Sequence, residues 1–323
     1  MDESEVRSRY GKVRPLYERL LVEVETTLRH ELAIEDVTPS AILPRIKHVD
    51  SLVAKVSRKG YEDPFTENED FAGLRIVCLF TEEVELVDAI IRRVFAVRSM
   101  EDKSAALELD RMGYEGRHYI VTNRDDWSGP RYTDIKGLPC EIQLRTICQD
   151  TWAQIDRHLD YPRSDALDPP TRRELNRMAA LLETAQSSFD GVKTKREAYA
   201  RRVSPSVQSE SDFLSQPVDR ETVRAYAEWK FPGLPMKDNI LQLFLRDLDH
   251  AKYLTLRDID RVVNRARPFN EYFASVRPER YTSSIDFLTK GFGYIDLAFR
   301  AKHPFGPDTK KLLAEFKPQA AGG

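Results

Sequence analysis

Three groups of residues in this chain have the types and spacing to do chemistry. The first is basic: Arg45 and Lys47 in Pro44-Arg45-Ile46-Lys47, then Ser51, Lys55, Arg58 and Lys59. On an extended segment alternate side chains share a side, so Arg45 and Lys47 point the same way. The pattern over residues 49–60 predicts a helix, with Asp50 or Ser51 near its start and Gly60 as its stop. On that helix Ser51, Lys55 and Arg58 or Lys59 fall at i, i+4 and i+7 or i+8, which is one face. A row of cations with one hydroxyl could grip a triphosphate, with arginine giving planar bidentate contacts and lysine point charges. Taken alone, the row reads more readily as a solvated helix face.

The second group is acidic. Asp70 stands just before residues 73–80, GLRIVCLF, which read as the best buried strand in the chain. Glu141 lies in an alternating segment: Glu141, Gln143 and Arg145 share one face, and Ile142 and Leu144 share the other and should meet the core. Two carboxylates converging beside phosphates are the usual way to hold Mg²⁺, which keeps several waters and takes few protein ligands. Either acid by itself could instead pair with an arginine nearby. The third group is Gly113-Tyr114-Glu115-Gly116-Arg117-His118-Tyr119. A glycine-rich corner with an exposed Tyr can stack a base. Its plain alternative is a turn with the Tyr packed on the core.

Elements must position these groups. Residues 6–32 are helical by the spacing of Val13, Leu16, Tyr17, Leu20, Leu21 and Val24, with Pro15 marking a kink or a second start. Residues 82–94 form an amphipathic helix, 97–100 a short strand and 102–113 a polar loop. Strands follow at 119–122 and 140–144, then helices at 147–159 and 172–202. Strands alternating with helices predict an α/β (α+β) fold, a mixed sheet flanked by helices. Residues 204–216 turn to Ser, Pro and Gln and read as a linker. Helical patterns resume at 220–230, 237–248 and 256–266. The expected organisation is a catalytic domain over 1–203, a linker over 204–216 and a mostly helical domain over 217–323. In that last part Leu241, Phe244, Leu245 and Leu248 read as a core stripe. Residues 287–294, aromatic and punctuated by glycine, read as a buried turn.

Bulk properties narrow the setting. The chain has 323 residues, 41% hydrophobic and 32% charged, as expected of a soluble globular protein. Its formal net charge is −3, so no global basic field announces nucleic acid and any anion site must be built locally. No apolar run reaches the roughly 18–20 residues that span a bilayer. The acidic start, Met1-Asp2-Glu3-Ser4-Glu5, lacks the apolar core of a signal peptide, so a cytoplasmic protein is expected. Cys78, Cys140 and Cys148 form neither a disulfide framework nor a zinc motif.

Taken jointly, the segments resemble the RelA/SpoT-type synthetase family, the (p)ppGpp or alarmone synthetases, over residues 44 to about 161. The matching strings are Arg45-x-Lys47-xxx-Ser51-xxx-Lys55-xx-Arg58-Lys59, Asp70-x-Ala72-Gly73-x-Arg75, Gly113-Tyr114-xxx-His118, Glu141-Ile142-Gln143-x-Arg145-Thr146 and Trp152-Ala153-x-Ile155-Asp156-xx-Leu159-x-Tyr161. The resemblance implies a nucleotidyltransferase-like synthetase domain that moves pyrophosphate from ATP to the ribose 3′-OH of GDP or GTP, with Mg²⁺. It implies that Arg45 and Arg75 sandwich the adenine, and that Lys47, Ser51, Lys55 and Arg58 or Lys59 clamp the ATP phosphates. Asp70 becomes the principal Mg²⁺ ligand, and Glu141 the second acid, near the metal and the attacking 3′-OH. Tyr114 becomes the platform for the acceptor base, and His118 a phosphate or transition-state contact. Gln143 and Arg145 support the acceptor side.

The sequence departs from the family pattern in three places. Leu109-Asp110-Arg111-Met112 replaces a Pro-Lys-Pro-Asn segment, so Asp110 stands where a phosphate-binding lysine is expected and Arg111 is left to substitute. The serine of Gly-Tyr-x-Ser-x-His is absent, with Gly116 and Arg117 in that stretch. Asp156-Arg157 replaces a Glu-His pair. These changes fall on the acceptor half, so the donor is better fixed than the acceptor. Relatives that modify the 3′-CCA end of tRNA, or that make adenosine alarmones, keep those acceptors open. For tRNA the basic patch needed could come from Arg172, Arg173, Lys193, Lys195, Arg196, Arg201 and Arg202. A non-enzymatic nucleotide-binding regulator is disfavoured by the retained Asp70 and Glu141. No hydrolase half is expected: the roughly 40 residues before the pattern are too few for that domain, and His48-Val49-Asp50 does not match its motif. The C-terminal domain is expected to serve a homo-oligomer or a protein partner, or to restrain the site.

Overall fold

The computed structural model describes residues 2–102, 116–160, 168–204, 209–250 and 253–315. Its centre is a five-stranded mixed sheet in the order β1-β2-β5-β4-β3. The strands are β1 (Ala41–Ile46), β2 (Ala72–Cys78), β3 (Ala96–Asp102), β4 (Arg117–Thr122) and β5 (Cys140–Thr146). β2 and β5 run parallel and the other neighbours run antiparallel. Alternation decides the two faces. Ala72, Leu74, Ile76, Cys140, Ile142, Leu144, Tyr119 and Val121 are buried on one side. The intervening Gly73, Arg75, Glu141 and Gln143 are only partly covered.

Helices cover the apolar face. α1 (Glu3–Ile34) is capped by Asp2, whose carboxylate accepts from the Glu5 amide. Pro15 neither stops this helix nor restarts it; one helix runs through it. Its buried stripe, including Tyr10, Tyr17, Leu20, Val24 and Leu28, packs on Phe71, on β2 and on α4 (Thr81–Val94), with α2 (Val49–Lys59) and the short α3 (Pro64–Glu67) between. α5 (Ile147–Asp160) follows β5 without a loop, and α6 (Pro169–Arg202) is the long charged helix.

The chain separates into two compact units, Met1–Val192 and Lys193–Gly323, and the division falls inside α6. The described part of the second unit is mostly helical: α7 (Glu210–Leu214), α8 (Arg220–Lys230), α9 (Asp238–His250), α10 (Leu256–Arg265), α11 (Arg267–Val276), α12 (Ser284–Ile295), α13 (Leu297–Lys302) and α14 (Pro307–Glu315). Leu241, Phe244 and Leu248 are fully buried in its core. Two expectations differ here. Within the stretch read as a linker, α7 buries Phe213 and Leu214 in that core. Residues 287–294 are helix, not turn. A Cβ on Gly293 would lie 2.6 Å from the Phe305 ring, and one on Gly291 would lie 3.0 Å from the Ala266 Cβ. Those glycines answer crowding around α12 rather than a change of chain direction.

Cys78, Cys140 and Cys148 are free and buried. Among the described residues no helix is long and apolar enough to cross a membrane.

Candidate active site

Strand register builds the floor of a cleft. Arg45, Gly73 and Glu141 line up across β1, β2 and β5; Leu43, Arg75, Gln143 and His118 form the next row, reaching β4. Gly73 presents no side chain, so the floor stays open between Arg45 and Glu141. With Asp70, these β1, β2 and β5 residues line a cleft of about 190 Å³.

Asp70 precedes β2 and meets two lysines. Lys47 Nζ is 2.7 Å from its Oδ2 and Lys55 Nζ is 3.1 Å from its Oδ1. Lys47 follows β1 and is buried, and Tyr10 donates a hydrogen bond to its carbonyl. Lys55 rides on α2, which ends where Gly60 takes a left-handed turn at φ 68°. Burial pushes the Asp70 carboxyl up, but the hydrogen bonds and charges of Lys47 and Lys55 outweigh it and hold it below the usual aspartate value. Arg45, Ser51, Arg58 and Lys59 remain exposed. The cationic row is thus split: two members face an acid and the others face solvent.

Glu141 is held from both ends. His118 Nδ1 lies 3.1 Å from its Oε1, and Gln143 donates to its Oε2 at 2.9 Å. Arg145 Nη2 is 3.2 Å from His118 Nε2. Arginine only donates, so Nε2 must accept and the ring proton sits on Nδ1, aimed at Glu141. Burial pushes the Glu141 carboxyl up, but the His118 and Gln143 hydrogen bonds win and keep it below the usual glutamate value, against opposition from Asp70. Two ionised carboxylates therefore share one cleft. Among the described residues no group of three or more His, Cys, Asp or Glu converges. A pair of oxygen donors that leaves room for water fits Mg²⁺ and does not fit zinc.

A family model described as "Region found in RelA / SpoT proteins" matches residues 44–166. GTP pyrophosphokinase YjbM of Bacillus subtilis is 30% identical over 173 residues, which cover 51% of this chain and 78% of that protein. The chain belongs to the RelA/SpoT family. A second B. subtilis relative, GTP pyrophosphokinase YwaC, is 26% identical over 159 residues, covering 46% of this chain and 71% of that protein. The crystal structure of small alarmone synthetase 1 from B. subtilis shares the fold, with a TM-score of 0.50 and 23% identity over 59% of this chain and 99% of that one.

In this RelA/SpoT chain the expected donor residues Arg45 and Arg75 both line the cleft, as do Asp70, Glu141 and Gln143. Arg145 shares the face of Glu141 and Gln143, as its spacing implies, but it is enclosed. It is 2% exposed, and its Nη2 lies against His118, which in turn meets Glu141. The strand ends there, directly under α5. Arg111 and Tyr114, with Asp110 and Tyr161, lie outside the described residues. Of the basic residues on α6, Lys193 and Arg196 are paired with Glu197 and Glu221.

Sequence reading missed three supporting residues. Asn68 is buried and accepts from Lys55 at 2.8 Å. Asp150, in the first turn of α5, lies 3.2 Å from Arg75 and 3.8 Å from Arg145. Gln154 donates to Asp150 at 2.7 Å. Asn68 could have been suspected from its place two residues before Asp70. Asp150 gave no separate signal, because an acid in a first helical turn is ordinary. Gly116, noted only as a departure from the family pattern, has a structural reason. Its φ is +84°, and a Cβ there would lie 2.6 Å from the Leu144 carbonyl oxygen and 2.7 Å from Arg145 Cγ.

Proposed function

We propose that this protein is an ATP:nucleotide 3′-pyrophosphokinase that moves the β,γ-pyrophosphate of ATP onto the ribose 3′-OH of GDP or GTP, making (p)ppGpp. The observation that carries this reading is the pairing of Asp70 and Glu141, both held ionised, in a cleft lined by Arg45 and Arg75 and flanked by Lys47 and Lys55. YjbM and YwaC, both GTP pyrophosphokinases by name, support guanosine acceptors.

In the reaction the 3′-oxygen attacks the β-phosphorus. The bond from that phosphorus to the oxygen bridging to the α-phosphate breaks, and AMP leaves. Catalysis of such a transfer is mostly positioning and charge neutralisation. Arg45 and Arg75 hold the adenine, and Lys47, Ser51, Lys55 and Arg58 or Lys59 take the phosphates. Asp70 and Glu141 would hold Mg²⁺, which when bound supplies positive charge to the phosphate oxygens. Glu141, fixed by His118 and Gln143, accepts the hydrogen bond of the 3′-OH and aims it in line. Its lowered proton affinity makes it an orienting group first and a base second. Tyr114 stacks the acceptor base, and Arg111 meets the acceptor phosphates. In this reading the protein works in the cytoplasm, where both nucleotides are.

The test offers γ-labelled ATP with GDP, GTP, AMP, ATP and tRNA in parallel. Label on GDP and GTP is expected. Label on tRNA or on an adenosine nucleotide instead would overturn the acceptor, and no transfer at all would overturn the reaction.

A further inference from the structure

We propose that Asp150 is a positioning residue that joins the two halves of the site: it aims Arg75 into the donor side and, through Arg145 and His118, holds Glu141 on the acceptor side. The inference rests on the pyrophosphokinase reading and adds a residue to it.

β2 and β5 are parallel and pair Arg75 with Gln143, so Arg75 and Arg145 sit on adjacent strands, on the same face. Two guanidinium groups so placed repel each other and need an anion between them. α5 starts directly where β5 ends, which sets its first turn over the strand ends and brings Asp150 there. One oxygen of Asp150, Oδ1, stands between both arginines as an ion-pair partner, at 3.2 Å from Arg75 Nη1 and 3.8 Å from Arg145 Nη1, without a hydrogen bond to either. The other, Oδ2, is pinned by Gln154 at 2.7 Å. Asp150 is 6% exposed and Arg145 is 2% exposed, so water does little to compensate either charge.

A guanidinium is a rigid plane, so fixing one edge fixes the direction of the rest. For Arg75 the rest of the side chain lines the cleft. For Arg145 the other edge meets His118 Nε2 at 3.2 Å, which commits the imidazole proton to Nδ1 and to Glu141. One carboxylate thereby acts on two branches that can be separated by experiment.

The test compares the wild-type chain with Asp150→Asn. Calorimetry with a non-hydrolysable ATP analogue reads the Arg75 branch, steady-state kcat with ATP and GDP reads the Arg145 branch, and thermal unfolding checks the fold. Folded Asp150→Asn should bind the analogue about tenfold more weakly, the low end of the range for a close charge pair. Its kcat should fall about a hundredfold, the scale of a small misplacement of a catalytic group. In an Arg75→Ala background, adding Asp150→Asn should cost no further analogue affinity, yet kcat should fall as before. Arg145→Lys keeps the charge but cannot bridge Asp150 and His118. It should lower kcat with analogue affinity retained, and it serves if Asp150→Asn does not fold. Wild-type kcat and affinity in folded Asp150→Asn, an affinity loss that adds in full to that of Arg75→Ala, or wild-type kcat in Arg145→Lys would overturn the proposal. Wild-type protein that binds the analogue but labels no acceptor would instead sink the pyrophosphokinase reading, and the analogue titrations would still judge the Arg75 branch.

Discussion

Asp70→Asn should leave the protein folded, less stable and inactive. The carboxylate faces two ammonium groups, at 2.7 Å for Lys47 and 3.1 Å for Lys55. The Lys47 side chain is 9% exposed, that of Lys55 21% and that of Asp70 25%. An asparagine oxygen can still accept one hydrogen bond but brings no charge, so Lys47 is left a buried, uncompensated cation. Removing one partner of a buried ion pair costs about 3–5 kcal/mol. Residual solvent access at Asp70 and Lys55 puts this case near ~3 kcal/mol. That is less than the ~5–15 kcal/mol that holds a typical domain together. For a unit of this size it lowers the unfolding midpoint by roughly 6–12 °C. Circular dichroism melts read this directly, and the labelled-ATP assay reads turnover, which should vanish while ATP still binds through the basic row. The acid side adds a signed check. Asp70 titrates below its ordinary value in the fold, so its stabilisation is present above the unfolded value of ~3.9 and disappears as pH falls through the folded value. The stability gap between wild type and Asp70→Asn should hold from neutral pH to about pH 5 and close in stronger acid. A midpoint within 2 °C of wild type would refute the lysine pairing. Wild-type turnover with Mg²⁺ would refute the metal assignment.

Gly116→Ala should impair folding of the β4–β5 edge, because the new Cβ meets backbone at 2.6 Å in a left-handed conformation; hydrogen exchange of residues 117–122 and 140–146 that matches wild type would count against this. Tyr114→Ala should weaken acceptor binding by ~1–3 kcal/mol, the scale of one base–aromatic stack, and leave ATP-analogue binding alone. Unchanged affinity for GDP in a calorimetric titration would remove Tyr114 from the site. Phe213→Ala should destabilise the second unit by ~3–5 kcal/mol, since the ring is fully buried there. Limited proteolysis should then cut beyond residue 193 faster than in wild type, and equal rates would show that α7 is not part of that core.

Much of the cleft was legible because it depends on local periodicity. The alternation in β5 put Ile142 and Leu144 inside and Glu141 and Gln143 on the cleft face, as the burial confirms. The helix carrying Lys55 was bounded by Gly60, and its φ of 68° shows why. What sequence could not give depends on residues far apart in the chain. Alternation put Arg145 on the face of Glu141 and Gln143 but could not show that the strand ends under α5, where the side chain is enclosed. Asp150 became meaningful only once β2 and β5 were known to be neighbours in parallel register. Gly291 and Gly293 looked like turn residues because glycine is a poor helix former. Their cause is the proximity of Ala266 and Phe305, which no local pattern records.

The charge arrangement suggests how such a site stays folded before any nucleotide arrives. A bare row of cations would repel itself, and a bare pair of carboxylates would do the same. Here Asp70 stands between Lys47 and Lys55 and Asp150 between Arg75 and Arg145, each offsetting part of their charge, and Glu141 is satisfied by His118 and Gln143. Arg45, Arg58 and Lys59 are left exposed to solvent. In the proposed reaction a triphosphate carries more negative charge than the single carboxylate it competes with for Lys47 and Lys55. As those lysines turn toward phosphate, Asp70 loses its partners next to the incoming charge and becomes free to bind a cation. In that reaction Glu141 would undergo no such exchange, because its partners, His118 and Gln143, are not the lysines that turn toward the phosphates. On this reading the two acids would have different tasks for a physical reason: Asp70 would change partners during binding, and Glu141 would keep its orientation throughout.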